Sequence, residues 1–467
     1  MSKDFATQIV QTLRQRGFQA YMAGGCVRDL LLGRQPKDYD VATEATPNQV
    51  MEIFPETYAV GAQFGVVLVP ASKGDATGIP SDADLPSNEL LSNEGAITKS
   101  RAVEVATFRS DIGYSDGRHP DEVRFSRDPR EDVFRRDFTI NGMLLDPISG
   151  NGSGEVLDFV GGRKDLEAKI IRAIGDPERR FAEDKLRMLR AVRFAARFEY
   201  TIEPSTFYAI QRLADGIEVV SRERVRDELT RMLTEGHAHR AFLLLDESGL
   251  LQHTLPEIAA MKGVQQPAEF HPEGDVFVHT LLALDNLPHP CPTTLAWGVL
   301  LHDVGKPPTF RVTPDRIRFD NHVEVGVKMA EEICQRLRFS NDDRTQILAL
   351  VENHMRFGHV SRMKESTLKK FMRMPAFEEH MALHRADCLA SHRNLSTYDF
   401  LQQKRVEIPP EKMQPSPLVT GDDLIAAGHA PGPKFREILE AVEDAQLEGR
   451  LLSRDEALAF VQREFPT

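Results

Sequence analysis

Cysteine is scarce in this 467-residue chain: there are four, Cys26, Cys291, Cys334 and Cys388, with no close pair among them. That spacing argues against a disulfide framework or a cysteine-rich zinc site and fits a reducing compartment. No stretch approaches the ~18 consecutive apolar residues of a membrane-spanning helix. The opening run, MSKDFATQIVQTLRQRGFQA, is amphipathic and mixed in charge, without the apolar centre of a signal peptide. Net positive charge is missing as well: 58 Lys and Arg against 71 Asp and Glu give a formal charge of −13. This speaks against indiscriminate nucleic-acid binding but leaves room for a local basic groove. The expectation is a soluble cytoplasmic chain with no membrane contact, long enough for two or more cores.

The most informative run is Gly24-Gly25-Cys26-Val27-Arg28-Asp29, followed by Leu31-Leu32-Gly33 and Asp38-Tyr39-Asp40. A glycine turn brings backbone N–H groups near a phosphate, an arginine can clamp its oxygens, and two carboxylates one residue apart can hold a divalent cation. Alternation places Asp38 and Asp40 on one face of a strand spanning 38–41. Together these residues point to metal-dependent phosphoryl or nucleotidyl transfer; alone, Asp-x-Asp is as easily a solvated acidic strand. Helical spacing over 4–17 and short strands at 19–23, 64–69 and 101–108 predict a small α+β domain up to about residue 160. Residues 71–99, rich in Gly, Ser, Asp, Asn and Pro, read as an excursion from a hairpin.

Glu104 lies in the strand Val103–Phe108, either as a third acid beside a metal or, on the plainer and preferred reading, on the polar side of an alternating strand. In Glu131–Asn141 charged residues surround an apolar anchor, so one arginine can meet a triphosphate while Asp137 fixes it or meets a sugar. Ordinary ion pairs at a helix start account for the same run. The segment Phe181–Arg193 reads as one helix, with Asp184, Arg187 and Arg190 within an arc of about 120° and Arg193 on another flank. A carboxylate accepting and an arginine donating can read the edge of a base without a template; a salt-bridged helix is the alternative.

GGCVRDLLLG with DYD, then VEVATFR, RRDFTIN and EDKLRMLRAVRF, resemble the class II tRNA nucleotidyltransferases (CCA-adding enzymes) and their bacterial poly(A) polymerase relatives over roughly residues 20–200. The resemblance implies a polymerase-beta-like α+β nucleotidyltransferase head. In it Gly25 and Arg28 contact the incoming nucleotide, and Asp38 and Asp40 bind catalytic Mg²⁺. Arg136 and Asp137 match a second nucleotide-binding motif. Asp184, Arg187, Arg190 and Arg193 match the neck motif, whose first two resemble the pair that selects CTP and ATP. The implied substrate is the 3′ end of tRNA, with an A-adding enzyme or poly(A) polymerase as the alternative.

After residue 176 the pattern is helical, and residues 271–400 carry most of the histidines. His279, His302-Asp303, His322, His354 and Asp387 lie on successive helical segments, from which imidazoles and carboxylates can bind one or two metals that activate water. His289, His359 and His384 read as surface or core residues. His302-Asp303-Val304-Gly305-Lys306 and HPEGDVFVHT resemble an HD-family phosphohydrolase domain over about 271–395. On that resemblance His279, His302, Asp303 and Asp387 form a one-metal set, and His322 and His354 stand where two-metal members add ligands. The implied reaction is hydrolysis of a 2′,3′-cyclic or terminal phosphate at an RNA end, with Ni²⁺, Co²⁺, Mn²⁺ or another divalent transition metal. GDDLIAAGHAPGPKFREIL also recurs in HD-containing members of the tRNA nucleotidyltransferase family. The expected order is a head over 1–160, an all-α neck over 161–265, an HD domain over 266–405 and a helical tail over 406–467.

Overall fold

The computed structural model describes residues 2–59, 65–71, 102–112, 122–150 and 154–466. Apart from Ala71, the excursion expected at 71–99 lies outside the described residues. The chain divides into two compact units, Met1–Glu228 with Leu243–Thr254, and Leu229–Phe242 with Leu255–Thr467.

The first unit opens on the helix Lys3–Gln15, where the Ser2 hydroxyl accepts from the Phe5 N–H at 3.2 Å. Ala6, Ile9, Val10 and Leu13 recur at helical spacing and are buried. The chain then enters β1 (Ala20–Ala23), and Gly24 starts the helix Gly25–Leu31. Next come β2 (Asp40–Thr43), β3 (Val66–Pro70) and β4 (Ala102–Thr107). An antiparallel pair, β5 (Arg109–Ile112) and β6 (Glu122–Phe125), stands apart from the main sheet, which β7 (Met143–Asp146) and β8 (Glu155–Asp158) complete. The six strands run in the order β3-β4-β2-β1-β7-β8, with β2 and β4 parallel and the other neighbours antiparallel.

Two local expectations are corrected. Strand β2 begins at Asp40 rather than Asp38. Its neighbour β1 ends at Ala23, directly opposite Asp40, where Gly24 turns the backbone away, so β1 offers no partner to Asp38. The neck is also not one helix through 181–193. It breaks between Pro177–Glu183 and Leu186–Phe198, with Asp184 extended at φ −145° and ψ 105°. There the Asp184 carboxylate accepts from the Leu186 N–H at 3.1 Å, behaving as a cap does at the start of a second helix.

The second unit is helical but for the short hairpin of Phe310–Val312 with Ile317–Phe319. Helices Val276–Asp285, Thr293–Leu301, Asn341–Asn353 and Phe377–Ala390 pack on one another, and His322–Arg336 lies against Asn341–Asn353. Towards the C-terminus, Leu424, Ile438, Val442, Ala457 and Val461 gather the helices Gly421–Ala426, Pro433–Leu447 and Arg454–Glu464 around a core of their own. Among the described residues no helix is long and apolar enough to cross a membrane.

One close approach brings His322 to Asp303. A Cβ on Gly305 would stand 2.0 Å from the His322 carbonyl oxygen and 2.6 Å from the Gly326 nitrogen. Only hydrogen fits there, and backbone rather than a flexible side chain blocks the space. Gly305→Ala should therefore destabilise the unit by about 1–3 kcal/mol, read as a lower denaturant midpoint in equilibrium unfolding. An unchanged midpoint would mean that the helix His322–Arg336 withdraws without cost.

Candidate functional site

The chemistry-bearing residues form one constellation in each unit. In the first, strand pairing does what local sequence does not specify: in the parallel β2–β4 ladder Asp40 is the register partner of Glu104, and on its other side Asp40 pairs with Ala23. Cross-strand partners project to the same face of a sheet, so Glu104 lies beside Asp40, a placement compatible with both readings of it. Gly24 has φ +77° and ψ −133°, a conformation that a Cβ would strain. A Cβ there would also lie 2.8 Å from Arg136 Nη1 and 3.9 Å from Asp40 Oδ2. Turn, arginine and carboxylate thus converge on one point. Asp38 is exposed, two residues before the pairing begins.

Behind that point runs a chain of buried polar contacts. Arg28, only 5% exposed, donates to Asp29 and, from Nη1, to Asn141 Oδ1 at 2.6 Å. Its guanidinium lies 4.7 Å from the Phe198 ring centroid. Burial pulls its pKa below the usual value, and Asp29 opposes that. Asn141 Nδ2 donates to Asp137 Oδ1 at 3.1 Å, while Arg190 donates to Asp137 Oδ2 at 2.6 and 2.9 Å. Burial would raise the Asp137 carboxyl, but Arg190, Asn141 and the Phe138 N–H outweigh it and hold it at about 2. Arg136 is braced by the buried Asp132, which also takes Arg135. Gly25 lies against Arg28 at the start of its helix.

Every neck residue singled out from sequence has a protein partner. Asp184 Oδ2 accepts from Arg224 at 2.8 Å, Arg187 donates to Glu183 at 2.8 Å and to the Arg135 carbonyl at 3.1 Å, and Arg193 donates to Glu228 at 2.7 Å. Asp132, Arg224 and Glu228 were not foreseen, because charged residues at those positions carry no local signal of whom they meet.

In the second unit all six expected ligands come together. Asp303 Oδ2 lies 3.2 Å from His302 Nε2 and 3.8 Å from His279 Nε2, while Oδ1 lies 3.8 Å from His354 Nε2 and 4.0 Å from His322 Nε2. Asp387 Oδ1 is 3.2 Å from His279 Nε2. The atoms fall into two metal-sized clusters, His279, His302 and Asp387, and Asp303, His322 and His354. His302, His322 and His354 set Nδ1 against the carbonyls of Val299, Phe319 and Val351 at 2.7, 2.9 and 2.6 Å. Donating there leaves Nε2 as a lone-pair ligand. The Nε2 atoms of His322 and His354 are buried without a hydrogen-bond partner, which a cation between them and Asp303 would remedy. This donor set fits a divalent metal.

Burial would raise the Asp303 carboxyl, but Lys306 and the neighbouring imidazoles hold it well below the usual carboxylate range. Lys306 donates to Asp303 at 2.7 Å and to Gln266 at 2.6 Å. Burial pushes His279 down, yet Asp387, Glu273 and Asp303 carry it up to about 9. Burial, with His302, brings His354 down to about 4. His384 is a core residue as expected, stacked on Phe357 at 4.4 Å between centroids.

Residues 20–79 and 86–172 match the Poly A polymerase head domain, 199–262 the probable RNA and SrmB-binding site of polymerase A, and 279–391 the HD domain. The CCA-adding enzyme of Geobacillus stearothermophilus is 40% identical over 254 residues, 54% of this chain and 55% of that enzyme. The match thus spans little more than half of that relative's length. The CCA-adding enzyme of Levilactobacillus brevis is 28% identical over 458 residues, 97% of this chain and 96% of its own. A crystal structure of the Bacillus stearothermophilus CCA-adding enzyme in complex with CTP is similar with a TM-score of 0.73 and 27% identity, covering 99% of this chain and 98% of that one.

A histidine held near pKa 9 is protonated at pH 7, and a metal needs its lone pair. Uptake of Mn²⁺ or Co²⁺ by the His279 cluster at pH 7 should therefore release about one proton per ion. Affinity should fall about tenfold per pH unit as the solution is acidified below the folded pKa. Calorimetry in buffers of different ionisation enthalpy measures the release, and metal uptake without proton release would contradict the assignment.

Proposed function

We propose, since this chain matches in order a poly(A) polymerase head, an RNA-binding segment and an HD domain, that it adds CCA to the 3′ end of tRNA from CTP and ATP. The observation that carries the proposal is the convergence of the Gly24 turn, Arg136 and Asp40, with Glu104 in register beside Asp40. The tRNA 3′-hydroxyl attacks the α-phosphorus of CTP or ATP; a P–O bond forms and pyrophosphate leaves. Asp38 and Asp40 would hold Mg²⁺, which when bound supplies charge compensation and eases loss of the hydroxyl proton. The Gly24-Gly25 turn, Arg136 and the Arg28 donors left free by Asn141 and Asp29 receive the triphosphate. Asp137 keeps Arg190 and Asn141 in place.

Asp184 and Arg187 choose the base, exchanging Arg224 and Glu183 for the incoming nucleotide. Arg190 and Arg193 brace that surface, and the helices beyond hold the acceptor end through its phosphates. On this reading 1–160 is the catalytic head, 161–265 the neck, 266–405 a phosphohydrolase and 406–467 a helical tail, in a protein working in the cytoplasm. The HD centre hydrolyses a 2′,3′-cyclic or terminal phosphate at an RNA end. Its imidazole-rich ligands suit Ni²⁺, Co²⁺ or Mn²⁺ better than Mg²⁺.

The test offers tRNAs ending before CCA, after C and after CC, with CTP, ATP or both, and sizes the products to one nucleotide. Two C and one A should be added, after which extension stops. A long A tract would identify a poly(A) polymerase, and growth only of the CC-ending tRNA an A-adding enzyme. Asp38→Ala and Asp40→Ala should each lower addition at least about 100-fold while leaving phosphoester hydrolysis intact, and Asp303→Ala should do the reverse. Asp184→Ala or Arg187→Ala should cost about 1–3 kcal/mol of discrimination between bases, seen in relative incorporation of CTP, ATP, UTP and GTP. A uniformly weaker enzyme with unchanged ratios would make them structural ion pairs.

A further inference from the structure

His279 differs from the other imidazoles of the HD centre in what holds it. His302, His322 and His354 rest on neutral backbone carbonyls, whereas His279 Nδ1 meets the Glu273 carboxylate, Oε1, at 2.6 Å. The same oxygen receives His271 Nδ1 at 2.9 Å, and the two imidazoles meet edge to face with centroids 4.9 Å apart. The Glu273 side chain is 6% exposed, and its Oε2 is buried without a partner. The segment is also locked in place. Asp275 caps the helix Val276–Asp285 through the Val278 N–H at 2.7 Å and ties back to the Gly263 N–H at 2.8 Å. His279 N–H donates to the Asp275 carbonyl at 3.0 Å. Glu273 therefore stands six residues before the imidazole it holds, in the segment just ahead of the helix cap.

His271, Glu273 and His279 could themselves be taken for a third metal cluster. That reading would need His279 Nδ1, which Glu273 already occupies, while its Nε2 faces His302, Asp303 and Asp387. A carboxylate accepting from a ligand imidazole fixes its tautomer and makes its other nitrogen a stronger donor to a metal. We propose that Glu273 is a positioning residue that makes the His279–His302–Asp387 position the tight one of two metal positions sharing Asp303, so that this position fills first. His271 holds the carboxylate from the other side. The proposal rests on reading the HD cluster as a metal centre.

The full-length protein, stripped of metal, is titrated with Mn²⁺ or Co²⁺ by calorimetry, and bound metal is counted after gel filtration. The wild type should take up two ions in unequal steps. Glu273→Gln, which keeps the shape but not the charge, should weaken the first step about 10–100-fold and leave the second within about threefold. His271→Ala should have a smaller effect in the same direction. CTP incorporation into tRNA should not change in either variant, and an unchanged second binding step shows that the second unit is folded. Glu273→Asp, which restores the charge, should recover part of the first step. Equal affinities in wild type and Glu273→Gln, or equal weakening of both steps, would overturn the role of Glu273. A wild type that binds no metal would overturn the metal centre itself, a different and recognisable result.

Discussion

A carboxylate withdrawn from water must have its charge answered by cations and hydrogen-bond donors, and each chemical centre of this protein is organised around one such group. In the first unit it is Asp137, whose two oxygens take Arg190, Asn141 and the Phe138 N–H. Removing one partner of such a buried pair costs about 3–5 kcal/mol because the other charge remains buried. That penalty ties together the helix Gly25–Leu31 through Arg28 and Asn141, the loop before β7, and the neck helix Leu186–Phe198. In the second unit Asp303 plays the corresponding part, with Lys306 on one oxygen and imidazoles around both.

The two centres differ in how much of their polar capacity is spent. Around Asp137 and in the neck the arginines are engaged: Arg187 with Glu183, Arg193 with Glu228, Arg136 with Asp132. On the proposed function, binding a nucleotide there would be an exchange of partners, which yields smaller net energies than new contact but sharper discrimination, since a wrong base leaves buried donors unpaired. Around Asp303 the reverse holds. His322 and His354 each keep a buried nitrogen without a hydrogen-bond partner.

Charge is unevenly distributed along this acidic chain. The formal charge of −13 describes the whole, whereas the neck concentrates arginine along Leu186–Phe198. Arg187, Arg190 and Arg193 are nonetheless answered by Glu183, Asp137 and Glu228 at close range, so their charge is largely balanced within the protein. Several of these arginines also lie over aromatic rings, Arg190 and Arg193 over Phe194 and Arg197 over Phe198. Those contacts fix the guanidinium planes before any ligand arrives.

Sequence alone determined which residue types stand in which order: the Gly24-Gly25 turn ahead of Asp38 and Asp40, the Arg136-Asp137 pair, and six separated candidate ligands among many histidines. These are local patterns or resemblances, and the clustering of His279, His302, Asp303, His322, His354 and Asp387 agrees with them. Tertiary structure decided what local periodicity cannot express. Register in a parallel ladder joins Asp40 to Glu104 across an excursion with no pattern of its own. The break at Asp184 arises because a carboxylate serves the next helix as a cap while pairing with a distant Arg224, a competition invisible to a 100° helical wheel. Glu273 was legible only as part of the HPEGD run. Its proposed task depends on an imidazole whose other nitrogen faces His302 and Asp303 of one segment and Asp387 of another, and that geometry exists only once the helices have packed.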